Sequence, residues 1–79
     1  MESIGNALKY QREIHNLNQS KLAAMTGISQ PKISYYESGK HLPSIEECIT
    51  LADFYGITLD ELVGRDYGRE NNKEEKQKT

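Results

Sequence analysis

Gly27, Ile28 and Ser29 stand between two short helix-forming runs, and this three-residue break constrains the chain more than any other stretch. The run before it, QSKLAAMT, places Leu22 and Ala23 on one face. Gly27 then supplies the left-handed residue that a helix C-terminus favours. Ser29 is a good N-cap for the second run. Pro31 lies in the first turn, where a missing N–H costs no helical hydrogen bond. Two helices so closely spaced must pack at a steep angle. Ala23 is the small residue at their approach, and Ile33 and Tyr36 anchor the second helix. The helix-turn-helix unit is therefore expected over residues 19–38.

Caps and periodicity predict three more helices around it. The first runs from about residue 4 to 15, with Ser3 as N-cap and Ile4, Ala7 and Leu8 on one face. The fourth opens with Ser44 and Glu47 as a capping box. Its expected inward stripe is Ile45, Cys48, Ile49 and Ala52. The fifth opens with a second box, Thr58 to Glu61, followed by Leu62 and Val63, and Gly64 ends it. Residues 66–79 are nearly all polar or charged, and a flexible tail is expected there. The reading is an all-α chain, with one five-helix domain over residues 1–65 and a charged tail over 66–79.

Seventy-nine residues bury one modest core. No apolar run approaches a membrane span of ~18 residues, and the N-terminus lacks a secretory signal. One cysteine, Cys48, allows no internal disulfide; with it on the apolar stripe, a core role and a cytoplasmic setting are expected. His15 and His41 stand apart without a ligand frame, so no metal or cofactor is expected. Neither a nucleophile triad nor a glycine-rich phosphate loop is evident, and an enzyme is not expected. The net charge is −2, but residues 1–45 hold five cations to three anions, and residues 46–79 hold five to nine. The half that carries the helix-turn-helix is thus mildly basic, and local field guides a polyanion.

The stretches NQSKLAAMTGISQPKISYYESGKHLPS and LADFYGITLDELVG resemble the Cro/repressor-type (XRE-like) helix-turn-helix proteins. The resemblance spans roughly residues 4 to 64. It implies a lambda-repressor-like domain of five helices that binds double-stranded operator DNA through helix three, as a transcriptional regulator, typically a repressor. The same fold also serves antitoxins and protein-binding regulators. The resemblance implies a buried ion pair between Arg12 and Glu37. The residues lead there independently: Arg12 lies on the Ile4–Leu8 stripe, and Glu37 is four after Ile33. Two opposite charges on buried faces are tolerable when they meet.

If Ile33, Tyr36 and Glu37 face inward, then Gln30, Pro31, Ser34 and Tyr35 face outward, with Lys32 at the flank. A helix in the major groove reads bases with its first residues. Gln30 suits adenine, Pro31 a thymine methyl, and Tyr35 a methyl or a phosphate. Ser29, Lys32 and Ser34 are expected at the groove margin. Gln19 is expected on one phosphate ridge, and Lys40 and His41 on the other. The chain departs from the family in carrying no arginine between Arg12 and Arg65, and in placing proline at the second helical position. A two-fold symmetric operator and a homodimer on DNA are expected, with helix five as the interface.

Overall fold

The structure is a computed structural model that describes residues 3–65; the expected tail over 66–79 lies outside the described residues. Five helices follow in order: α1 (Ile4–Ile14), α2 (Gln19–Thr26), α3 (Gln30–Ser38), α4 (Ile45–Tyr55) and α5 (Leu59–Val63). No strand occurs among the described residues. No helix among them is long and apolar enough to cross a membrane.

Every helix starts on a side-chain cap. Ser3, Asn18, Ser29, Ser44 and Thr58 each accept from the backbone N–H three residues on. Such a cap contributes ~1 kcal/mol, which matters for helices of five to eleven residues. Thr58 and Glu61 form the full reciprocal box. At Ser44 only half of the expected box forms. Ser44 accepts from the Glu47 N–H at 3.1 Å, but the Glu47 carboxylate turns away from its own helix to meet α3.

Leu8, Leu22, Ile28, Ile33, Tyr36, Cys48, Leu51, Ala52 and Leu62 form one core. α1 lies against α3 and α5, α2 against α3, and α4 against α5. Leu62 is fully enclosed, at 0% exposure. Two expectations for α4 fail. Ile45 and Ile49 are exposed, at 64% and 45%. The true inward stripe is Cys48, Leu51 and Ala52. A residue three or four places from a buried one shares its face only in part, and these two isoleucines fall at its edge.

Gly5 fixes the height of α3 above α1. A Cβ at this position would lie 2.7 Å from the carbonyl oxygens of both Tyr36 and Glu37. That is closer than carbon and backbone oxygen tolerate, so the last turn of α3 rests directly on the α1 backbone. The sequence signal was there to use: a glycine inside a helical run usually has a packing reason.

Candidate nucleic-acid interface

The turn that sets α3 is built from three consecutive residues. Gly27 caps α2 in the left-handed region, at φ 81°, where a side chain would be strained. Ile28 plugs the core at 5% exposure. Thr26 ties the turn by donating to the Leu22 carbonyl at 2.8 Å and accepting from the Ile28 N–H at 3.2 Å. Ile33 and Tyr36 then bury the inner side of α3. Gln30, Pro31, Lys32 and Tyr35 remain exposed, and Ser34 is half-buried.

A second fastening comes from charge. Arg12 donates from Nε to Glu37 Oε2 at 2.7 Å and from Nη2 to Glu37 Oε1 at 2.9 Å. Its Nη1 donates to the Leu17 carbonyl at 2.8 Å. The two side chains are only 11% and 6% exposed. The hydrogen bond to Glu37 holds the guanidinium above its ordinary range, and burial opposes that shift without cancelling it. The bidentate fork is the geometry in which arginine and carboxylate bind best.

Glu37 does not stop at Arg12. Its Oε1 also accepts from Gln19 Nε2 at 3.0 Å, and Gln19 Oε1 accepts from Gln30 Nε2 at 2.7 Å. An ionised carboxylate can only accept, so the sense of this chain is fixed. Gln19 must give its amide nitrogen to Glu37 and turn its oxygen to Gln30. Gln30 must then donate with its nitrogen. One N–H and the Oε1 of Gln30 remain for an outside partner. Such an adjacent donor and acceptor matches N7 and N6 of adenine.

A third fastening reaches α3 from α4. The Tyr36 hydroxyl donates to Glu47 Oε1, and Lys32 Nζ meets Glu47 Oε2 at 2.9 Å. Tyr36 and then Lys32 hold the Glu47 carboxyl below the usual carboxylate range. Burial, aided by the Glu47 charge, pushes the Tyr36 hydroxyl up to about 12. Lys32, expected at the groove margin, is therefore paired across to α4 in this structure. The lysine end of that pair is 57% exposed while Glu47 is 20% exposed, so Lys32 can leave at modest cost with Tyr36 still holding the carboxylate.

At the far end of α3, Lys40 Nζ stands 5.6 Å over the Tyr35 ring, and His41 meets the same ring edge-on at 5.2 Å. Lys40 and His41 are exposed, and both backbone N–H groups return to the Tyr35 carbonyl. Ser29 spends its oxygen on the cap of α3 at 3.3 Å. The nine expected residues thus divide into three groups. Gln19 and Gln30 are joined by a hydrogen bond, Tyr35, Lys40 and His41 form an aromatic and cationic cluster, and Ser29, Pro31, Lys32 and Ser34 lie on α3 or its cap. Sequence reasoning missed Glu47 as a holder of α3, because its spacing from Ser44 already accounted for it as a cap.

Among the described residues, no three His, Cys, Asp or Glu side chains gather as metal ligands. Cys48 is buried, and burial pushes its thiol up.

A family model for the helix-turn-helix matches residues 8–62. The chain belongs to the XRE-type helix-turn-helix family. An HTH-type transcriptional regulator of Methanocaldococcus jannaschii is 39% identical over 57 residues, 72% of this chain and 86% of that relative. The transcriptional repressor of the cryptic phage CTXphi in Vibrio cholerae is 38% identical over 71 residues, 90% of this chain and 62% of the repressor. An antitoxin of Streptococcus pneumoniae is 32% identical over 63 residues, 80% of this chain and 40% of the antitoxin. The chain thus spans most of the archaeal relative and smaller parts of the other two. No solved structure matches.

Proposed function

We propose that this helix-turn-helix protein is a sequence-specific transcriptional repressor that reads the major groove with α3. The observation that carries the reading is the amide of Gln30: exposed, and polarised by a hydrogen-bond chain that begins at a buried carboxylate. A solvated surface glutamine needs no such support, whereas a base-reading one gains from a fixed donor and acceptor. In this reading Gln30 bonds adenine, Pro31 packs on a thymine methyl, and Tyr35 touches a methyl or a phosphate. Gln19 serves one phosphate ridge, and Lys40 and His41 the other, with Ser29, Lys32 and Ser34 at the margin. One copy reads a few base pairs, so a homodimer sits on a two-fold operator whose half-sites are ~34 Å apart. A DNA partner also sets the protein in the cytoplasm, where such operators lie.

Selection from a random duplex pool tests this. One enriched, two-fold symmetric site is expected, with Gln30→Ala relaxing the preference at one base pair in each half. Flat enrichment across the pool would overturn it. A second reading, as antitoxin or protein-binding regulator, is favoured by the likeness to the pneumococcal antitoxin. It predicts negligible DNA selection and a stable complex with a protein partner.

A further inference from the structure

α3 carries one cation, Lys32, in its first turn. In the free protein that cation is occupied: its Nζ crosses to α4 and meets Glu47 Oε2 at 2.9 Å. The acceptor is fixed by contacts of its own. Glu47 lies in the first turn of α4, where the helix dipole favours a carboxylate. Its other oxygen, Oε1, takes the Tyr36 hydroxyl. Glu46, one residue earlier in the same turn, is exposed and pairs with no cation among the described residues. The pairing is thus particular to Glu47 and not a general effect of an acidic helix start.

Two features of the pair separate its role from fastening. Tyr36 already ties Glu47 to α3 from the buried side, so the lysine is not needed to join the two helices. The lysine end is also open to solvent, where an ion pair adds little stability. What the pair does change is the availability of Lys32. A lysine ammonium is a compact point charge that binds carboxylate and phosphate with the same donors. Lys32 stands at the margin of the proposed reading face, where the oxygens on offer belong to the phosphate backbone.

We infer, on the DNA-reading role proposed above, that Glu47 attenuates DNA binding by competing with phosphate for Lys32. A phosphate that reaches Lys32 must first displace Glu47, so the contact contributes less than a free lysine would give. A phosphate one water layer away does not displace it. Attraction falls with distance and is screened by salt, whereas Glu47 is in direct contact. The competition is over the backbone and not the bases, so Glu47 sets affinity and leaves base preference unchanged. Its sign also sets it apart from the other holders of α3. Loss of a residue that only positions the helix weakens binding, whereas loss of a competitor strengthens it.

The test is a double-mutant cycle on the full chain, with Glu47→Gln, Lys32→Ala and both together. Glutamine keeps an oxygen for Tyr36 but offers Lys32 no charge. Glu47→Ser is run beside it, so that the result does not hang on one replacement, and thermal melts check that each variant is folded at the assay temperature. Affinity is measured on the duplex selected from the random pool, on a scrambled duplex and on immobilised heparin, a sulfated polyanion without base sequence. Glu47→Gln is expected to bind all three about two- to fivefold tighter than the wild type. In the Lys32→Ala background the same replacement is expected to change nothing, and the selected sequence is expected to stay the same. Equal or weaker binding by Glu47→Gln would overturn the inference. So would a gain that persists without Lys32, which would reflect only the loss of a negative charge. If the gain appears on heparin and needs Lys32 but no duplex is selected, the competition stands and the DNA reading falls. If a duplex is selected and Glu47→Gln binds it no tighter, the DNA reading stands and the competition falls.

Discussion

Replacing Glu37 removes the acceptor for both Arg12 and Gln19, whereas replacing Gln19 leaves the ion pair whole. The two changes therefore separate folding from reading. Glu37→Gln or Arg12→Met alone is expected to cost ~3–5 kcal/mol in denaturant unfolding, because the survivor stays buried without its charge partner. The double replacement by Met at both positions is expected to recover much of that loss. Losses below ~1 kcal/mol would place the pair among surface ion pairs. Gln19→Met is expected to leave stability near wild type but to free the Gln30 amide to turn over, so adenine preference weakens in site selection. Gly5→Ala isolates sterics. Alanine favours helix by about 1 kcal/mol, yet its Cβ would meet two carbonyl oxygens at 2.7 Å. A net destabilisation of ~1–3 kcal/mol is expected.

At the scale of elements, α3 is held from three sides: by the core, by α1 through Arg12, and by α4 through Glu47. The last of these titrates at both ends of the pH range. Glu47 has a depressed folded pKa, so its contribution is full above the unfolded value near ~4.3 and is lost as pH falls through the folded one. Tyr36 has a raised folded pKa of about 12, so its contribution is full below ~10 and is lost as pH rises toward that value. Tyr55, raised to about 12 chiefly by burial, adds to the alkaline loss. Unfolding midpoints measured from pH 3 to 12 are expected to fall at both ends. Glu47→Gln is expected to flatten the acid limb, and Tyr55→Phe to reduce the alkaline one. Local chemistry made all five helices legible in the sequence, because each begins on a capping side chain and four of the five end on a glycine. What it could not reveal was competition between partners. Glu47 satisfied a local rule, and a buried tyrosine hydroxyl distant in sequence won its carboxylate. Ile45 and Ile49 satisfied a period, and only the packing of α4 against α5 decides where that period's face ends.

For the whole molecule, the proposed function puts affinity and selectivity on different residues. Lys40 is an exposed cation over the Tyr35 ring, and Gln30 is neutral. Lys40→Ala is expected to weaken binding alike on all sequences and to lower the salt slope by about 1. Gln30→Ala is expected to leave the slope and relax the preference. Titrations at several salt concentrations on the selected and a scrambled duplex check both. The exposed face of α3 was readable because the helix keeps so few inward anchors, which leaves its outer side by subtraction. The link from Gln30 through Gln19 to Glu37 was not readable, since it joins three side chains on two helices by geometry alone.

That link has a consequence for redesign. If Gln30 reads a base as proposed, substitution there would readdress the protein to a new operator without disturbing its interior. Substitution at Glu37 cannot stay private, because its carboxylate holds both Arg12 in the interior and Gln19, the residue that orients Gln30.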